Sequence, residues 1–126
     1  MQKVITALLI IVAIIHLLPV TGVFGPQRLS ELYGLSFQET NISILMRHRA
    51  FLFGLLGLFL MYTAFQPALQ PLVFFAGFTS VASFIVLAWL AGDYNDAIRK
   101  VVVADIVALS CLLLGGVLYI IARYQN

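Results

Sequence analysis

The residues of this chain that could do chemistry are five ionisable side chains within or beside apolar segments. Arg47, His48 and Arg49 lead directly into an apolar run, and His16 and Asp105 stand inside two others. A histidine and a carboxylate can exchange protons with a ligand, and an arginine can hold an anionic or carbonyl group. Ionisable groups inside a membrane cost about 2.5–3.5 kcal/mol on insertion scales and commonly mark functional sites, so these five form the candidate site.

The composition indicates which kind of structure must position these residues. Of 126 residues, 63% are hydrophobic and only 10% are charged, whereas soluble domains carry about 25% charged residues. A soluble fold of this size would leave much of that apolar surface exposed to water. The composition therefore predicts a membrane protein.

Four apolar segments are each long enough to cross a bilayer, because a hydrocarbon core of roughly 30 Å needs about 20 helical residues. These segments cover about residues 4–23, 45–65, 72–91 and 101–122. The first could instead be a signal peptide, but no clear cleavage site follows it, and we expect a retained helix. Pro67 and Pro71 place a tight turn between the second and third segments. The sequence thus predicts an all-α, polytopic membrane protein: one transmembrane domain, residues 1–126, folded as an up-down bundle of four transmembrane helices.

Counting along the helices places the polar side chains near one end of this bundle. Arg47, His48 and Arg49 lie about 20 residues before the end of the second span, and Asp105 lies at a similar depth in the fourth. Arg47 shares its helix face with small residues that permit close helix packing, whereas Arg49 shares its face with bulky ones. We therefore expect Asp105 to face inward and pair with Arg47, with Arg49 as the alternative partner.

Each candidate residue also has a purely structural interpretation. Asp105 could simply neutralise an arginine and fix the helix register, and Arg49 could extend its guanidinium to lipid phosphates. His48 could lie among lipid headgroups, and His16 could be a neutral imidazole bonded to a carbonyl or a serine. Two histidines without HxH or HExxH spacing do not indicate a metal site, so the sequence predicts no metal and no cofactor.

Several classes of function lack sequence support. The basic residues are scattered and the net charge is only +2, so no nucleic-acid partner is predicted. Cys111 is the single cysteine, which excludes an internal disulfide and a thiolate cluster. GxSxG, Walker, GxGxxG and HExxH motifs do not occur, so enzymatic activity is left open and is not the favoured prediction.

Four features resemble those of a known group of proteins. They are a short N-terminal tail, Leu32-Tyr33-Gly34 in the first long loop, RHRAFLFGLLG at residues 47–57, and an acid early in the fourth helix. Together they resemble small DoxX-like four-helix bacterial membrane proteins of the RHRA-x-LFG kind, which are often labelled phosphopantetheine adenylyltransferase. The resemblance implies a four-helix bundle in the bacterial inner membrane. The sequence does not support adenylyl transfer, because soluble adenylyltransferases use an HxGH motif on an α/β fold, and this chain has neither.

The distribution of lysine and arginine predicts an orientation. One end of the bundle, which includes the long loop at residues 24–41, carries Arg28, Arg47, Arg49, Arg99 and Lys100; the other carries Lys3 and Arg123. The positive-inside rule then puts the long loop in the cytoplasm and both termini outside. Within that loop, residues 27–33 can form a short amphipathic helical turn that Gly34 can end.

Three functions remain open on the sequence alone. The favoured one is a small binding or accessory protein that holds a lipid, an isoprenoid or a quinone-like molecule, or a partner membrane protein, with Arg47 or Arg49 on the polar group. The second is an intramembrane lipid-modifying enzyme in which His16 and Asp105 act as an acid–base pair. The third is a proton-coupled transporter built as a homo-oligomer. Membrane lipid is an expected partner in every case.

Overall fold

The computed structural model describes residues 1–125, and every regular element in that range is helical. The α-helices are α1 (Gln2–Leu17), α2 (Pro26–Tyr33), α3 (Thr40–Thr63), α4 (Gln70–Ala91) and α5 (Asp96–Gln125). Short 3₁₀ helices extend α1 over Leu18–Phe24 and precede α4 over Pro67–Leu69. Four helical stretches are long and apolar enough to cross a membrane: Gln2–Phe24, Thr40–Thr63, Pro67–Ala91 and Asp96–Gln125. The predicted all-α fold with four membrane-spanning helices is confirmed.

Two of these helices begin earlier than the apolar pattern predicts, because polar side chains cap them outside the apolar segments. The Glu39 carboxylate accepts a 2.9 Å hydrogen bond from the backbone amide of Ile42, so α3 begins at Thr40. Asn95 Oδ1 accepts a 2.8 Å bond from the amide of Ile98 at the start of α5. Such caps satisfy amide groups that a helix N-terminus leaves without partners.

The four spans run alternately up and down, as predicted. At one end, Thr6 Oγ1 near the start of α1 donates a 2.8 Å hydrogen bond to the carbonyl of Ala64, just after α3. At the other end, Asn95 Nδ2 donates a 2.9 Å bond to the carbonyl of Tyr33. Helix α1 packs against both α3 and α5, α4 packs against α5, and contact between α3 and α4 is sparser.

Small residues let α1 and α3 approach closely. A Cβ atom placed on Gly57 would lie 2.8 Å from two side-chain atoms of Leu17 and 3.3 Å from the carbonyl oxygen of Ala13. Without hydrophobic attraction between helices in lipid, such close van der Waals contact is a main source of helix association. The bundle core beside this contact is apolar and includes Leu9, Val12 and Leu60, all fully buried.

Helix α2 covers the end of the bundle at which α3 and α5 begin. Its buried face, Leu29 and Tyr33, forms a second small core with Phe37, against which Ile98 and Val101 of α5 pack. Gly34 ends α2 in the left-handed region, with φ of 68°, a conformation that favours glycine. The amphipathic turn predicted within the long loop is thus the helix Pro26–Tyr33, ended by Gly34 as predicted, and it closes one end of the bundle.

Candidate functional site

A cavity of about 320 Å³ lies beneath α2, between α1, α3 and α5. Its walls are largely apolar, and its polar side chains come from four helices: His16, Glu31, Tyr33, Arg49, Lys100 and Asp105. We call this space the polar cavity. Its size and its few convergent polar groups are typical of small-molecule sites, which span about 300–1,000 Å³.

Arg49 is held in the polar cavity by aromatic side chains. Its Nη1 donates a 2.7 Å hydrogen bond to the hydroxyl of Tyr33. Its guanidinium carbon lies 4.4 Å from the ring centroid of Phe53, 5.5 Å from that of Tyr33 and 5.8 Å from that of Phe84. These are cation–π distances, which strengthen when the cation is removed from water. Within residues 1–125, Tyr33 is the only hydrogen-bond partner of this guanidinium, so its remaining N–H groups can donate to a ligand.

Asp105 faces the interior, as predicted, but it does not pair with Arg47. Arg47 is exposed, and its Nε donates a 2.9 Å hydrogen bond to the carbonyl of Val23. Over the described part of the chain, the one ion pair joins Arg28 and Glu31 at 2.6 Å. The expected Arg47–Asp105 pair is therefore wrong, and the alternative partner, Arg49, shares the polar cavity with Asp105 without forming an ion pair.

The small-residue face of Arg47 does pack against a helix, but that helix is the first span. Gly54 lies beside Val20, and Gly57 beside Leu17, so this face of α3 follows the end of α1 and its 3₁₀ extension. Arg47, further along the same face, reaches the carbonyl of Val23 near the end of that extension. Carbonyls at a helix end lack intrahelical partners, which explains why Arg47 binds Val23 and not the carboxylate of α5.

Asp105 is 9% exposed, and its carboxylate makes no hydrogen bond to any group in residues 1–125. In the described chain, Gln70 Oε1 is the only polar side-chain atom that is fully buried and has no hydrogen-bond partner. The oxygens of Asp105 also lack a partner, so they are not fully buried. The carboxylate therefore reaches accessible space, and the space it lines is the polar cavity. A buried, unpartnered carboxylate is costly unless something supplies a partner.

His16 is 2% exposed and also lines the polar cavity. Its Nδ1 lies 2.9 Å from the carbonyl oxygen of Val12, one turn earlier in α1. Because a carbonyl can only accept, Nδ1 carries a proton in this contact, and Nε2 of the neutral tautomer would be free to accept a hydrogen bond from a ligand. The ring packs at 5.7 Å against that of Phe53. The predicted contact of the His16 imidazole with a carbonyl is present.

The structure thus unites three of the five candidates and separates the other two. His16, Arg49 and Asp105 line the polar cavity, whereas Arg47 and His48 are exposed and line none of the main cavities. Among residues 1–125, no group of three or more histidine, cysteine or acidic side chains could hold a metal ion.

The sequence reasoning missed the role of Tyr33 and of Lys100. Tyr33 belongs to the apolar face of α2 with Leu29, and a buried tyrosine hydroxyl usually requires a partner. Lys100 lies about one turn before Asp105 on α5, near Ala97 and Val101, which line the same cavity. Residues three and four apart share a helix face, so the steps from Lys100 through Ala97 and Val101 would have indicated that Lys100 lies on the same side of α5 as the acid and lines the same cavity.

The polar cavity presents hydrogen-bond donors and acceptors together. Arg49 and Lys100 donate, the hydroxyl of Tyr33 retains its own proton after accepting from Arg49, and Asp105 and His16 Nε2 accept. Fold and cavity define a multi-pass helical membrane protein with a polar site near one end of its bundle. No protein-family model matches the chain, and no curated protein or solved structure matches it.

Proposed function

We propose that this protein binds a membrane amphiphile, an isoprenoid or other lipid with a quinone-like head, and holds that head in the polar cavity. The observation that carries the proposal is Asp105, which is 9% exposed and has no protein partner in residues 1–125 while it lines a cavity shared with Arg49. A ligand that donates a hydrogen bond to this carboxylate would offset the cost of burying it.

The polar groups favour a head that both accepts and donates hydrogen bonds. Arg49 and the Tyr33 hydroxyl suit a carbonyl oxygen, and Asp105 or His16 Nε2 suits a hydroxyl. Glu31 is already paired with Arg28, and Lys100 is exposed. The formal charges of the more buried Arg49 and Asp105 balance each other, which favours an uncharged head. A volume of about 320 Å³ accommodates such a head but not a long hydrocarbon tail.

Location and orientation are part of the same proposal. The resemblance of the RHRA segment to DoxX-like proteins supports the bacterial inner membrane. Arg28, Arg47, Arg99 and Lys100 at the α2 end outnumber Lys3 and Arg123 at the other, even with Arg49 held inside its aromatic surroundings. The positive-inside rule therefore supports a cytoplasmic position for residues 24–41, and with it a binding site near the cytoplasmic leaflet.

Mass spectrometry of lipids that co-purify with the gently extracted protein tests this proposal. We expect wild-type protein to retain one class of amphiphile, and Asp105→Leu and Arg49→Gln to retain at least tenfold less. Arg47→Gln is the matched control, since Arg47 is a neighbouring arginine that lies outside the polar cavity, and it should retain the wild-type amount. Wild-type protein without bound amphiphile would contradict the proposal and favour a partner membrane protein or a second copy of the chain.

One observation favours a second candidate, an intramembrane isomerase. His16 and Asp105 line the same cavity, so an acid and a base can reach one ligand. His16 Nε2 would remove a proton from one allylic carbon of the ligand, and protonated Asp105 would give a proton to the carbon at the far end of the double bond, so that the double bond moves without oxidation. In D₂O, such an enzyme would place deuterium on carbon in the bound lipid, and His16→Gln would not; absence of carbon-bound deuterium in the wild type excludes this candidate.

A further inference from the structure

A second cavity of about 320 Å³ lies between α3 and α4. It adjoins the polar cavity, and two residues line both. Arg49 and Phe53 contribute to both spaces. The remaining walls are Leu52, Leu56, Ser80, Ser83, Phe84 and Leu87. We call this space the α3–α4 groove.

The α3–α4 groove runs from the level of Arg49 towards the middle of the membrane. Its α3 wall extends from Arg49 to Leu56, which at 1.5 Å per residue is about 10 Å along the helix axis. Its α4 wall extends from Leu87 to Ser80 in the same direction, because α4 runs antiparallel to α3. A molecule with its head beside Arg49 would therefore have its tail directed towards the bilayer centre, as lipids do.

The groove is open to the bilayer and its surface is largely apolar. Leu52 is 52% exposed and Leu87 is 66% exposed, and α3 and α4 make only sparse contact with each other. The serines on the α4 wall keep the groove wide because they are small. Ser83 Oγ donates a 2.9 Å hydrogen bond to the carbonyl of Ser80, so its hydroxyl is satisfied within α4.

We propose that the α3–α4 groove holds the hydrocarbon tail of the amphiphile whose head occupies the polar cavity, and that Arg49 and Phe53 form the passage between the two. The inference rests on the proposed function and adds the route by which ligand enters, sideways from the membrane. Because Arg49 and Phe53 line both spaces, a rotation of the Phe53 ring would join them around the ligand while Arg49 keeps its hydrogen bond to Tyr33. The polar cavity is too small for the tail, and the adjoining apolar space continues from it along the membrane depth.

Two probes with one head and different tails test the inference. One is a benzoquinol with a decyl chain, and the other is the same ring with a methyl group in place of that chain. Both are titrated into protein in lipid nanodiscs, with empty nanodiscs as the correction for partitioning. We expect Ser83→Trp, which fills the groove, to weaken binding of the decyl probe at least tenfold and to leave binding of the methyl probe unchanged.

Val86→Trp is the matched control, because Val86 is 51% exposed on α4 but does not line the groove. It should leave both affinities at the wild-type value. Leu87→Trp is a second groove-filling variant for the case that Ser83→Trp does not fold, and unchanged binding of the methyl probe shows that either variant has folded. If both groove variants bind the decyl probe as tightly as the unmodified protein does, the inference is wrong and the proposed function stands. If the unmodified protein binds neither probe, the proposed function is wrong as well.

Discussion

Arg49 Nη1 donates a 2.7 Å hydrogen bond to the hydroxyl of Tyr33, which ties membrane-spanning α3 to the short helix α2. This contact orients the guanidinium into the polar cavity and holds the covering helix in place. The two residues are 16 positions apart in the chain. The hydrogen bond requires both the guanidinium of Arg49 and the hydroxyl of Tyr33.

Tyr33→Phe tests the contribution of this contact. The ring remains available to pack against Phe37 and to face the guanidinium, while the hydrogen bond is lost. Hydrogen bonds to charged groups contribute about 1.5–3 kcal/mol, and we expect the lower end of this range because Arg49 is only half-buried. Thermal unfolding in mild detergent measures the loss. Tyr62→Phe is the control, because Tyr62 is exposed on the same bundle. An equal loss of stability in Tyr62→Phe would show that any tyrosine-to-phenylalanine change has this effect and that the Arg49–Tyr33 hydrogen bond is not its cause.

Asp105→Leu separates a ligand-binding carboxylate from a structural counter-ion. If the carboxylate of Asp105 binds a ligand, it has no partner in the delipidated protein, and its burial is then unfavourable. Replacing it with leucine should therefore raise the unfolding free energy of the delipidated protein by about 1 kcal/mol. The same variant should lose the stabilisation that added decyl benzoquinol gives to wild-type protein. A large destabilisation of Asp105→Leu, with ligand stabilisation retained, would show that the acid is structural. Ser110→Leu, a polar-to-leucine change at an exposed position on α5, is the control.

Gly57→Ala and Gly116→Ala should have opposite effects. The new Cβ at position 57 would lie 2.8 Å from Leu17, whereas at position 116 nothing lies within 4 Å. Overpacking of a tight contact costs about 1–3 kcal/mol, and replacing an unhindered helical glycine with alanine gains roughly 0.5–1 kcal/mol. Paired thermal unfolding curves check both values. Equal stability of the two variants would contradict the close approach of α1 and α3.

The cap at Glu39 predicts a local dependence on pH. Hydrogen bonding from the Ile42 amide lowers the pKa of the Glu39 carboxyl below its ordinary value. A lowered pKa in the folded state means that the cap stabilises α3 above the unfolded-state pKa, and that this effect disappears as the pH falls through the folded-state pKa. Hydrogen exchange at the Ile42 amide should therefore lose protection on acidification, after correction for intrinsic rates. Glu39→Gln should show no such step, and a step of equal size in that variant would exclude the cap as its cause.

Hydropathy alone predicts the four spans, because their apolar length is a property of each segment by itself. Helices α3 and α5 begin about five residues before their apolar segments, because Glu39 and Asn95 cap first turns that contain polar residues. The inward position of Asp105 also follows from local sequence, since it continues to Ala108 and Leu112, both of which are buried.

The partners of the site residues could not be predicted in the same way. Small residues spaced three and four apart show that one face of α3 packs against a helix, but not whether that helix is α1 or α5, so the sequence alone pairs Arg47 with the wrong helix. Arg49 lies among aromatic rings from α2, α3 and α4, and bulky neighbours on its own helix suggested lipid or a core without distinguishing them. Such contacts depend on the packing of several helices, which no single segment encodes.

Intermolecular nuclear Overhauser effects between decyl benzoquinol and the protein in micelles test the central claim most directly. The polar cavity predicts contacts from the ring protons of the probe to the methyl group of Ala104 and to the ring of Phe53, both of which line that cavity. These contacts should disappear in Asp105→Leu and persist in Arg47→Gln. Ring-proton contacts confined to lipid-facing side chains such as Leu58, or contacts that Asp105→Leu leaves unchanged, would contradict binding of the head in the polar cavity.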